Sequence, residues 1–172
     1  WEFAMFSAIV ILVLTVIYGI MNFSSGYNGL IISRYSLSLV PSIGIDFTSG
    51  ATSLTFTLLL LTAVIIPISV YSAKDQKYGE LFFGLILLSE VGLFGLLISR
   101  NFVFFYVFWE IVIVPVFLLI AIYGGEKKEA ASLKFFIYTQ LGSVFLLLSI
   151  LTLFAYHYSL AHNFSLSMTT LL

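Results

Sequence analysis

The stretch FVFFYVFWEIVIVPVFLLIAIY, residues Phe102–Tyr123, decides the fold. Its only charged side chain is Glu110, and every other position is apolar or aromatic apart from Pro115. A helix that crosses a hydrocarbon core of about 30 Å needs roughly 20 such residues, and this run is long enough. Working outward, four more apolar runs of spanning length lie near residues 4–22, 51–72, 80–99 and 131–157, each bounded by polar or Gly-rich residues. None alternates with period two as a barrel strand would. Backbone groups in lipid must be satisfied within the segment, so these runs are read as helices. The expected fold is an all-α, polytopic transmembrane bundle of about five spans, forming one membrane domain over residues 1–172.

Composition agrees with that reading. Of 172 residues, 61% are hydrophobic and 9% charged, against about 25% charged in ordinary soluble domains. The chain has no Cys, which excludes a disulfide framework, thiolate-bound zinc and Cys-ligated iron–sulfur clusters. Trp1-Glu2 does not resemble the basic start of a signal peptide, and without an initiating Met the chain reads as a fragment. Asn22 to Gly50, rich in Ser and Gly, is expected to be a loop outside the membrane core, with local extended structure around Leu30–Ser38.

Seven basic residues set the orientation, because Lys and Arg collect in short cytoplasmic loops. Lys74, Lys77, Lys127, Lys128 and Lys134 fall at the second-to-third and fourth-to-fifth connections. Arg34 and Arg100 fall in connections that parity places on the opposite side. Trp1 is therefore expected on the cytoplasmic side and the tail at His162 outside.

A charged carboxylate in mid-span costs on the order of 2.5–3.5 kcal/mol on insertion scales, so Glu110 is the leading functional candidate. A membrane Glu that faces a movable cation can take up and release a proton. Its bland alternative is a structural carboxylate that never changes protonation. Pro115 lacks an N–H, which frees the Ile111 carbonyl and predicts a kink beside Glu110. Lys134 is a candidate relay cation; it could equally snorkel to the headgroups. Glu90, near the centre of its span, either joins the relay or meets another subunit. Gly92 and Gly95 beside it favour close helix packing, as do Thr139, Gly142 and Ser143. His157 reads as an interfacial histidine, and Glu126 to Glu129 as a solvated loop. No phosphate loop, HExxH, nucleophile elbow or basic-aromatic nucleic-acid patch is present.

Phe105-Tyr-Val-Phe-Trp-Glu110, Pro115, Leu118-Leu-Ile-Ala-Ile-Tyr-Gly-Gly125 and Ala130-Ala-Ser-Leu-Lys-Phe-Phe-Ile-Tyr-Thr-Gln-Leu-Gly-Ser143 together resemble one family. It is the antiporter-like M chain (subunit 4) of NADH:quinone oxidoreductase, complex I. Ile43-Gly-Ile-Asp-Phe-Thr-Ser49 is similar to the lead-in to that family's third helix, although Phe47 replaces a Gly there. The resemblance implies part of the antiporter-like inverted-repeat fold, with the five spans as the family's second to sixth helices. It implies that Glu110 is the proton-path glutamate of the fifth helix and that Lys134 occupies a family position. Glu90 and Asp46 inherit no role. The partner lysines on later helices are not in this sequence.

The resemblance further implies a proton-translocating subunit that itself binds no redox cofactor. NADH or an equivalent donor, FMN, iron–sulfur clusters and quinone are expected in partner subunits. The implied partners are other antiporter-like chains and the hydrophilic redox arm, in a prokaryotic plasma membrane, with no nucleic acid. The alternatives are a subunit of a Mrp-type Na⁺/H⁺ antiporter or membrane-bound hydrogenase, and a structural membrane subunit with no ion path.

Overall fold

The computed structural model describes residues 1–23, 33–40, 45–74 and 79–161. Five helices are present: α1 (Glu2–Phe23), α2 (Ser53–Ser72), α3 (Glu80–Ile98), α4 (Phe102–Tyr123) and α5 (Lys128–Ala161). All five are long and apolar enough to cross a membrane. Between α1 and α2 lie two strands, β1 (Ser33–Val40) and β2 (Ile45–Ala51), paired antiparallel with Tyr35 opposite Ser49 and Leu37 opposite Phe47. The expected loop therefore contains a hairpin, and the stretch 45–49 that resembles a helix lead-in is strand. The second span begins at Ser53 rather than residue 51 because Ala51 completes β2. Thr52 then caps α2, its side chain accepting from the Thr55 N–H at 3.3 Å.

Hydroxyls inside the helices mostly satisfy themselves locally, as an apolar solvent requires. Thr15, Thr62, Ser69, Ser89, Thr139, Ser149 and Thr152 each donate to the carbonyl four residues earlier. Asn101 caps α4, its Oδ1 accepting from the Val103 N–H at 2.9 Å. Helix α4 continues through Pro115, whose missing N–H leaves the Ile111 carbonyl without its usual donor.

Consecutive helices are neighbours, with the α3–α4 and α4–α5 seams the most extensive of the helix pairs. Small residues let the backbones approach: Ala4, Ala8 and Ala73 pack with Ile66, Val70, Phe83 and Ile86 at one end of the bundle. Gly92 and Gly95 seat α3 on α4. A Cβ at Gly95 would fall within the Phe108 ring, and one at Gly92 would lie 2.7 Å from a Val112 methyl. These glycines thus serve the packed seam.

Charge follows the two ends. At one, the Arg100 N–H donates to the Thr48 carbonyl at 2.8 Å and Ser49 bridges to Ser99, which ties the hairpin to the α3–α4 connection. At the other, Phe82 meets Tyr123 edge-on at 4.9 Å, joining the start of α3 to the end of α4. Lys74, Lys127, Lys128 and Lys134 gather toward this second end, as the loop charges predict, while Lys77 and His162 lie outside the described residues. The expected solvated loop needs correction at Lys128, which begins α5. Its Nζ donates to the Ile122 carbonyl at 2.7 Å and closes the C-terminal turn of α4.

Candidate functional site

Helix α4 carries Tyr106 and Glu110 four residues apart, and α5 carries Gln140 and Ser143 three apart, so each pair shares one helix face. The two faces meet. Ser143 Oγ donates a short hydrogen bond to Glu110 Oε1, and Gln140 Nε2 donates to Oε2 at 3.3 Å. Ser143 Oγ also lies 3.1 Å from Tyr106 OH. A serine hydroxyl has one proton; with it committed to the carboxylate, the phenol proton must point to Ser143 Oγ. The result is an ordered chain from Tyr106 through Ser143 to Glu110, reversible in sense when Glu110 is protonated. Ser143 is fully buried, and unlike Thr139, Ser149 and Thr152 on the same helix it bonds across the seam instead of to its own backbone.

The carboxylate lies about 12 Å along α4 from its first residue, at 1.5 Å per residue. It is half-buried, and among the described residues no cation pairs with it. Lys134 is exposed on α5, nine residues before Ser143 and therefore about 13 Å away along the axis. The structure does not bring Lys134 to Glu110. Pro115 is fully buried on α4, one turn past Glu110. His157 is half-buried near the end of α5.

Glu90 is apart from this cluster. It lies on α3 with 0% exposure, and among the described residues neither carboxylate oxygen has a hydrogen-bond partner. Full burial by the chain's own helices corrects the expectation of contact with another subunit, because no surface of Glu90 is left to offer one. The packing reading of Ser143 is likewise incomplete. Tyr106, Gln140 and the cross-helix role of Ser143 escape a sequence reading, and the signal that points to them is polar groups at helical spacing on otherwise apolar spans.

With this geometry in view, the likenesses to known proteins are informative. Residues 99–170, which include all of α4 and α5, match a family model described as the transmembrane region of NADH:quinone oxidoreductase/Mrp antiporter. Over 140 residues the chain is 34% identical to F(420)H(2) dehydrogenase subunit M of Methanosarcina mazei, covering 80% of this chain and 28% of that protein. It is 36% identical over 121 residues to NAD(P)H-quinone oxidoreductase chain 4 of Prochlorococcus marinus, covering 70% and 22%. Residues 99–170 thus match the antiporter-like family, and the similarity to its M and 4 chains extends over most of this chain.

Solved structures show the antiporter-like fold. A chain of respiratory complex I from Thermus thermophilus superposes with a TM-score of 0.80 at 24% identity, covering 98% of this chain and 33% of that one. A chain of the Mrp complex from Dietzia gives 0.75 at 17% identity, covering 96% and 30%. The chain thus spans roughly a quarter of the curated relatives' length and a third of the solved chains'. All four residues of the Glu110 cluster lie within the antiporter-like match.

Proposed function

We propose that this chain supplies a proton-binding portion of a proton-translocating subunit in a complex I-type quinone oxidoreductase. The observation that carries the reading is Glu110: an intramembrane carboxylate held between α4 and α5, among the described residues, by neutral donors alone. A Lys or Arg locked against it would hold it ionised. Neutral partners can hold either protonation state, since Ser and Gln each offer a donor and an acceptor. The proton would enter or leave through Tyr106 and Ser143, and a lysine from elsewhere in the assembly would shift the balance electrostatically. At an effective dielectric near 20, such a pair at 4 Å interacts by about 4 kcal/mol.

The names of the relatives support the wider setting, in which an NADH- or F420H2-type donor, FMN, iron–sulfur clusters and quinone belong to partner chains in a hydrophilic arm. The basic end, with Lys74, Lys127, Lys128 and Lys134, faces the cytoplasm of a prokaryotic plasma membrane in this reading, and Trp1 lies on the same side. A second reading, a subunit of a Mrp-type cation/proton antiporter, is favoured by the family description and by the fold likeness to the Mrp complex. Mild-detergent isolation of the complex followed by mass spectrometry separates the two. Iron–sulfur and quinone-reducing companions are expected, whereas membrane chains alone would replace the first reading with the second.

The cradle has its own test. Ser143→Ala removes a hydrogen bond to a charged group, worth about 1.5–3 kcal/mol. Proton pumping by the assembled complex should fall about tenfold, with complex yield unchanged. Ser143→Thr should retain most of the activity because it keeps the hydroxyl. Equal pumping by Ser143→Ala and wild type would remove Ser143 from the path.

A further inference from the structure

The two oxygens of Glu110 are held by partners at different levels of the membrane. Helix α4 runs from the hairpin end to the lysine-bearing end and α5 runs back, so Ser143 lies nearer the hairpin than Gln140 does. Ser143 holds Oε1 and continues to Tyr106, whereas Gln140 holds Oε2. Tyr106 is one turn nearer the hairpin than Glu110, about 6 Å along α4 from Phe102. The hydroxyl chain thus leads toward the hairpin end and covers half of the roughly 12 Å between Glu110 and that end of the helix.

The opposite direction is closed. Glu110 is about 20 Å along α4 from Tyr123, and the intervening Ile111-Val-Ile-Val-Pro-Val-Phe-Leu-Leu-Ile-Ala-Ile122 offers no polar side chain. Ile113 and Phe117 follow Glu110 at three and seven residues, on the face that meets α5. Ile113 is buried, and Phe117 meets Phe136 of α5 with ring centroids 5.2 Å apart. Phe136 lies one turn from Gln140 on the side of the lysines, so the ring pair stands next to the cluster. The hydroxyls of α5 on this side provide no detour. Thr139 donates to the Phe135 carbonyl at 2.7 Å, and Ser132 to the Glu129 carbonyl at 3.0 Å. A seam filled by rings and aliphatic side chains gives water no partners.

We propose that Phe117 and Phe136 form a gate that shuts Glu110 off from the lysine-bearing side, so that in the conformation described Glu110 exchanges its proton with the hairpin side through Ser143 and Tyr106. The release step moves one proton and no electrons. The Glu110 O–H bond breaks, Ser143 Oγ takes that proton as it gives its own to Tyr106, and Tyr106 gives its own to water at the hairpin end. Loading from the lysine-bearing side requires the two rings to part. Phe136 is 37% exposed and can swing out of the seam by a change of rotamer. The gate rests on the reading of Glu110 as the proton-binding residue.

The test measures passive proton flux across sealed vesicles containing the whole complex, under an imposed membrane potential and without electron donor. Wild type should be tight. Phe117→Ala should raise the flux about tenfold, as lowering a barrier by about 1.4 kcal/mol does, and Phe136→Ala reads the same gate if Phe117→Ala does not assemble. Adding Glu110→Gln or Tyr106→Phe to the leaky variant should make it tight again, which a merely loosened seam would not do. Val114→Ala, on the exposed side of α4, should stay tight. Wild-type flux in both Phe variants would overturn the gate, as would a leak that survives Glu110→Gln. A leak that survives Tyr106→Phe would overturn the hairpin-side route. Failure of the Glu110 reading is distinguishable, because it shows as normal pumping by Glu110→Gln alone, whereas failure of the gate leaves that variant impaired and the Phe variants tight.

Discussion

Gly95→Leu is expected to prevent this chain from entering its membrane complex, and Gly95→Ala to lower the complex's thermal stability measurably. The cause is local. A Cβ at residue 95 would occupy the Phe108 ring position, so even Ala forces the ring out of the seam or the helices apart. Overpacking of that kind costs about 1–3 kcal/mol for small additions. Leu adds a branched side chain to a seam with no space for it, on the more closely packed side of α4. Gly92→Ala should be milder, since its nearest neighbour is the end of a Val112 side chain at 2.7 Å. Quantitative blotting of the assembled complex and a thermal melt in detergent would read both effects. Wild-type assembly in Gly95→Leu would mean that α3 and α4 do not meet as described.

The second large effect belongs to Glu110→Gln. Gln has nearly the same shape; its carbonyl oxygen can still accept from Ser143 Oγ, and its amide N–H can donate to the Gln140 side-chain oxygen once that amide turns over, so α4 and α5 should remain joined. What is lost is the ability to bind and release a proton at that point. Removing a positioned proton-transfer group lowers rates by roughly 10² to 10⁴, and pumping should fall within that range while the complex assembles normally. Glu110→Ala would be less informative, because it also removes the carboxylate acceptor of the buried Ser143 hydroxyl, which keeps only Tyr106. A structural carboxylate predicts the opposite ordering, with Gln tolerated and Ala destabilising.

Much of this was legible in the sequence, for a reason particular to membranes. The bilayer imposes one length on every span and makes each charge within it expensive, so the five helices and the exceptional positions of Glu110 and Glu90 follow from the order of residues alone. The partners of those carboxyls do not. The spacings Tyr106–Glu110 and Gln140–Ser143 define two faces, but only packing decides that the faces meet. The same packing separates Lys134 from Glu110, although both lie in stretches that match the family pattern. It also decides which glycines line a seam and that Glu90 is enclosed by its own chain. The hairpin was harder to see, because Ser33–Val40 and Ile45–Ala51 are polar enough to read as loop, and their pairing is set by where α1 ends and α2 begins.

In the proposed function Glu110, in its neutral cradle, binds the proton that moves. The most direct measurement records substrate oxidation and internal pH together in sealed vesicles containing the whole complex, wild type beside Glu110→Gln. Protons moved per electron should collapse in Glu110→Gln while assembly is unchanged. An undiminished ratio in that variant would contradict it and leave Glu110 as a carboxylate that only holds α4 to α5.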